Sequence, residues 1–133
     1  MKKKINSLKN RTESYKTSSD VHKSFKYAFS GISYVLKTSR NFKIQLIFAV
    51  TSLMIGFLLQ ISQSNYVILI ATIMSVLIFE ILNTSIESIV DLVVKKEFNS
   101  LAKISKDTSA GAVLLASINS LVISCSTESS PRY

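Results

Sequence analysis

Residues 66–91 read YVILIATIMSVLIFEILNTSIESIVD, fourteen residues without a charge and then a stretch in which acids and amides interrupt an oily pattern. Apolar residues continue at helical spacing through Ile81, Leu82, Ile86, Ile89, Val90, Leu92 and Val93, which predicts one helix over 66–94. Such a helix crosses a bilayer, which takes about 20 predominantly apolar residues. Glu80, Asn83, Thr84, Glu87 and Asp91 stand at i, i+3, i+4, i+7 and i+11, so they share one stripe. Glu80 and Glu87 are then about 10 Å apart along the axis. An intramembrane carboxylate costs on the order of 2.5–3.5 kcal/mol, so a sequence that keeps one has a use for it.

On either side of this helix lie two more charge-free stretches, predicting spans over 44–62 and 108–125. The uncharged Ser62-Gln63-Ser64-Asn65 joins the first pair as a hairpin, and Lys95, Lys96, Lys103 and Lys106 fall between the second and third spans. From Met1 to Lys43 there are eleven basic residues against Glu13 and Asp20. The positive-inside rule therefore expects a multi-pass protein of the inner (cytoplasmic) membrane, its N-terminus and second connection in the cytoplasm. Val21, Phe25, Ala28, Phe29, Ile32, Val35 and Leu36 give residues 21–37 one apolar face, with Lys23, Lys26 and Lys37 toward the other. That predicts a surface helix on the anionic inner leaflet; a core-facing helix would show the same spacing. Residues 1–20 read as a flexible basic tail, 21–126 as one membrane domain and 127–133 as a short tail. The fold class is an all-α membrane protein, an amphipathic surface helix followed by three transmembrane helices.

The 133 residues include 1 Cys, 1 His and 3 Gly. One cysteine closes no internal disulfide, and with one histidine it builds no structural zinc site. Gly31, Gly56 and Gly111 are too scattered for a glycine-rich phosphate loop. The net charge of +8 comes without a nucleic-acid motif and with an apolar run close behind the basic segment, so no nucleic-acid partner is expected.

The acidic stripe suits several chemistries. A carboxylate at headgroup depth takes a proton from a lipid hydroxyl. A second, two turns away, suits Mg²⁺, which prefers carboxylates, waters and phosphate oxygens. The basic residues beyond offset phosphate charge. Proton or cation transport would use the same acids, and hydrogen bonds between helices would use Asn and Thr. Periodicity alone leaves these open.

The residues Glu80-Ile81-Leu82-Asn83-Thr84-Ser85-Ile86-Glu87-Ser88-Ile89-Val90-Asp91, then Ser105-Lys106-Asp107, then Ala110-Gly111-Ala112-Val113, strongly resemble the prokaryotic diacylglycerol kinase family. That family of small membrane kinases includes the undecaprenol kinases. Ser24-Phe25-Lys26-Tyr27-Ala28-Phe29, Gly31-Ile32 and Arg40-Asn41-Phe42 are similar as well. The resemblance implies a homotrimer with sites between subunits, using MgATP to phosphorylate a membrane lipid alcohol. Diacylglycerol, giving phosphatidic acid, is the first acceptor to expect and undecaprenol the alternative. It implies Glu80 as general base, Glu87 as a metal ligand, and Asn83 as a support for both. Asp91, Lys106 and Asp107 would lie around the nucleotide, with Tyr27 near its base or ribose.

Two positions depart from the family. Members usually carry Glu where this chain has Ser39, as the second carboxylate on the metal, and often His where it has Gln45. Ser39 is then expected beside the metal with Glu87, at the cost of a higher Mg²⁺ demand.

Overall fold

The computed structural model describes residues 21–95 and 97–128. The expected tail over 1–20, Lys96 and residues 129–133 lie outside these, as do the side chains of His22, Thr127 and Glu128. All regular structure among the described residues is helical: α1 (Val21–Thr38), α2 (Arg40–Leu58), α3 (Gln63–Val94) and α4 (Ser100–Glu128). The last three are long and apolar enough to cross a membrane. The expected all-α architecture, one amphipathic helix and three spans, is the one observed.

The chain divides into two compact units, the first ending at Tyr34 and the second beginning at Val35. In the first unit, Val21, Phe25, Phe29 and Ile32 of α1 are all exposed. A continuous apolar face left open on a helix suits a lipid interface better than a protein core.

In the second unit, each helix starts where a short polar side chain caps it. Ser39 adopts an extended backbone and its hydroxyl accepts from the Phe42 amide at 3.1 Å. Ser62 does the same for Asn65 at 3.3 Å. The Asn99 side-chain oxygen accepts from Leu101 and Ala102 at 2.9 and 3.3 Å. Each cap satisfies amides that have no partner inside the helix. Because Ser39 sets the start, Arg40 and Lys43 join α2, and the helix begins ahead of the charge-free stretch at 44. Likewise α4 begins at Ser100, taking in Lys103 and Lys106 before its apolar part. A charge does not end a helix; a cap and a lost hydrogen bond do.

The α2–α3 joint is a Schellman turn. The Ile61 amide donates to Gly56 and the Gln60 amide to Phe57, at 3.2 and 3.1 Å. Gln60 takes the left-handed position, with φ of 50°, that glycine usually fills. Gly56 is where the joint closes on the helix, since a Cβ there would meet Ile61 Cδ1 at 3.1 Å and Tyr66 Cε2 at 3.4 Å. The Tyr66 hydroxyl donates to the Leu53 carbonyl at 3.2 Å and ties the two helices just below the turn.

Helix α3 is central, packing on α2 along one side and more extensively on α4 along the other. Its buried residues, Leu69, Thr72, Val76, Glu80 and Asn83, lie three or four apart and so form one stripe. They meet Phe42 and Ala49 of α2 and Ser109 and Val113 of α4 among the buried residues of the unit. The stripe passes from apolar to acidic along its length, and that gradient positions the site.

Candidate active site

Glu80 is the most deeply buried large side chain among the described residues, only 2% exposed. Two neutral donors from α2 and its cap hold it. The Ser39 hydroxyl donates to Oε1 at 2.8 Å, and Gln45 Nε2 donates to Oε2 at 3.3 Å. Hydrogen bonds to a charged group contribute about 1.5–3 kcal/mol each. Two of them offset an insertion cost of about 2.5–3.5 kcal/mol, so a buried carboxylate is tolerable here without a cation beside it.

One turn further, Asn83 links the two sides of the site. Its Nδ2 donates to Glu87 Oε1 at 3.1 Å, and its Oδ1 accepts from Ser109 of α4 at 2.6 Å. Asn83 is buried whereas Glu87 is half-buried, so one acid is enclosed and the next opens outward. The sequence reading missed Ser109. Its signal was a small hydroxyl residue one turn after Lys106 on a helix that had to pack against Asn83.

At the end of the stripe, Asp91 pairs with Lys106 of α4 at 2.5 Å, both partly exposed. The pair lines a cleft of about 310 Å³ with Glu97, Asn99, Lys103 and Asp107. Of the expected nucleotide residues, the structure therefore brings Asp91, Lys106 and Asp107 together. Tyr27 lies in the first compact unit and is exposed.

A second cavity, about 320 Å³, runs along the other end of the stripe. Phe48, Ala49, Ile73, Val76, Leu77 and Leu121 make it apolar, a few serines of α4 edge it, and Gln45 closes it toward Glu80.

The residues also bear on a magnesium site. Among the described residues no three His, Cys, Asp or Glu side chains gather closely enough to cage a metal ion. Mg²⁺ ordinarily takes one or two carboxylates plus substrate phosphates, and half-buried Glu87 beside a polar cleft fits that demand. Ser39, expected beside Glu87, has its hydroxyl hydrogen on Glu80 and one lone pair on the Phe42 amide.

The family model for prokaryotic diacylglycerol kinase matches residues 26–127. A diacylglycerol kinase of Synechocystis is 43% identical over 100 residues, covering 75% of this chain and 57% of that protein. An undecaprenol kinase of Bacillus subtilis is 39% identical over 101 residues, covering 76% of this chain and 81% of that protein. A diacylglycerol kinase of Escherichia coli is 29% identical over 99 residues, covering 74% of this chain and 80% of that protein. The chain thus spans little more than half the length of the Synechocystis relative and most of the other two. With three helices fit to cross a membrane and the acid–amide stripe on the central one, the chain belongs to the prokaryotic diacylglycerol kinase family of membrane lipid kinases.

Proposed function

We propose that the chain transfers the γ-phosphoryl group of ATP to the hydroxyl of a membrane lipid alcohol, with diacylglycerol as acceptor and phosphatidic acid as product. The observation that carries this reading is an order along α3. An apolar groove at Ile73, Val76 and Leu77 leads to buried Glu80, then to half-buried Glu87, then to the polar cleft at Asp91. At 1.5 Å per residue, Glu80 to Asp91 is about 16 Å. Tail, reacting hydroxyl, phosphates and nucleotide fit that sequence of surfaces.

In the reaction the lipid oxygen attacks the γ-phosphorus and the new O–P bond forms as the bond to the bridging oxygen of ADP breaks. The hydroxyl proton passes to Glu80, which Gln45 of the groove lining contacts. Asn83 holds Glu87 in place and ties it through Ser109 to α4. Glu87 would hold Mg²⁺ on the phosphates, where the ion neutralises charge; phosphoryl transfer asks for positioning and neutralisation above all. Lys106, Asp91 and Asp107 border the nucleotide, with Tyr27 contributing from the surface helix as the family resemblance implies. The same resemblance supports a homotrimer, and the basic N-terminal segment supports an inner-membrane protein with a cytoplasmic N-terminus and α1 on the anionic leaflet. The domain limits are proposed as 1–20, 21–126 and 127–133.

The test is transfer of label from [γ-³²P]ATP by the purified protein to diacylglycerol, undecaprenol or neither. Labelled phosphatidic acid is expected. Label on undecaprenol alone would move the acceptor to the polyprenol, a reading favoured by the 81% coverage of the Bacillus undecaprenol kinase. No labelled lipid would overturn the kinase reading and turn attention to cation flux in proteoliposomes.

Two further results are expected. Ser120 lines the apolar groove and is half-buried, so Ser120→Phe fills the groove without touching Glu80. The KM for lipid should rise several-fold, about 1 kcal/mol of lost apolar burial, while the KM for ATP stays put. An unchanged lipid KM would remove the groove from the substrate path. Ser39→Glu restores the family's acid. The Mg²⁺ concentration for half-maximal rate should fall, while the ceiling also falls because Glu80 loses a donor and gains a like charge. Identical Mg²⁺ curves would dismiss Ser39 as the source of a higher metal demand.

A further inference from the structure

Glu80 is held in a way that neither the acidic stripe nor its relatives' names assign. Its two oxygens accept from two different side chains, the Ser39 hydroxyl on Oε1 and the Gln45 amide on Oε2, both neutral. The Ser39 hydroxyl is itself fixed, because its lone pair takes the Phe42 amide that starts α2. Gln45 is less committed. Its Oε1 is buried and is the one buried side-chain polar atom among the described residues without a hydrogen-bond partner.

We infer that Ser39 and Gln45 are positioning residues for Glu80, serving its two protonation states in turn. This inference rests on the kinase reading for its catalytic consequence. While Glu80 is a carboxylate, it needs donors, and both residues donate. Once Glu80 has taken the lipid proton, the new Oε2–H faces the Gln45 amide nitrogen, donor against donor. A half-turn of the Gln45 amide presents Oε1 instead, which accepts that proton's hydrogen bond. Since Oε1 has no partner to give up, the turn exchanges one hydrogen bond for another and leaves the rest of the site alone. Gln45 also closes the groove toward Glu80, so the residue that reorients is the one the incoming hydroxyl meets.

Substitutions at the two positions separate shape from hydrogen bonding. Gln45→Glu keeps the size but removes the amide donor; Gln45→Leu removes both polar atoms; Gln45→His and Ser39→Thr return a donor. With saturating ATP, kcat should fall about tenfold or more in Gln45→Glu, Gln45→Leu and Ser39→Ala, the scale of one hydrogen bond to a charged group. Gln45→His and Ser39→Thr should recover most of it, with the KM for ATP unchanged throughout. Wild-type kcat in Gln45→Glu, or Ser39→Thr no better than Ser39→Ala, would overturn the assignment. Thermal unfolding in detergent supplies a readout independent of turnover. Ser39→Ala and Gln45→Leu should each lower the midpoint when Glu80 is present and much less in a Glu80→Leu background. Equal losses in both backgrounds would overturn the inference even if no lipid were labelled, whereas coupling without any labelled lipid would overturn the kinase reading instead.

Discussion

Glu80→Gln should abolish lipid phosphorylation while leaving the protein folded. A positioned general base contributes about 10²–10⁴-fold, and the amide cannot take the hydroxyl proton, so turnover should fall by that range. The fold should hold because the site accommodates the change. The new carbonyl oxygen accepts from Ser39 as Oε1 does, and the new amide donates to the Gln45 oxygen that now lacks a partner, once that side chain turns. Removing a buried charge also removes its desolvation cost, so the unfolding midpoint should stay level or rise. Labelled lipid at the wild-type rate would refute Glu80 as the base. A lost rate with a collapsed midpoint would mean that Glu80 matters for folding, and the catalytic assignment would fall.

The second large effect is expected at Glu87→Gln, with lipid labelling lower by about 10²-fold, the scale of losing one charge that stabilises a transferring phosphoryl group. The substitution keeps size and keeps an acceptor for Asn83 Nδ2, so the α3–α4 tie through Ser109 persists. What disappears is the negative charge on a half-buried side chain one turn before Asp91 of the cleft lining. The Mg²⁺ dependence should shift to higher concentration. Asn83→Ala is the contrast: it frees the Glu87 carboxylate without neutralising it, and should cost less in rate but more in unfolding midpoint. Unaltered Mg²⁺ dependence in Glu87→Gln would take the metal away from this residue.

The span and its stripe were legible because both signals are local. A run of apolar residues at helical spacing fixes α3, and acids at i and i+7 must share its face whatever surrounds them. Burial of Glu80 and Asn83 with partial exposure of Glu87 and Asp91 follows from one end of that face being enclosed by α2 and α4. The partners were not local. Ser39 and Glu80 are 41 residues apart, and which oxygen the hydroxyl meets is decided by where the α2 cap falls. The resemblance drew Ser39 toward Glu87 by analogy with an acid; a hydroxyl has one hydrogen to give, and here it goes to Glu80. Gln45 stood out as a departure from the family, but its bond to Glu80 needed the packing of α2 on α3. The helices extend ahead of the charge-free spans for a related reason, since Ser39 and Asn99 set the helix starts by capping.

The tight turn from Leu59 to Ser62 also bears on how the protein is made. Two apolar helices joined by so short a link have no slack to settle far apart, so each stays beside the other in the bilayer. Between Lys43 and Glu80 the chain carries no charge at all, so neither the turn nor the helical segments beside it bring an ion into hydrocarbon. A charge-free pair of helices thus enters a bilayer at little desolvation cost, and its short, tied tip leaves a protease little slack chain to cut.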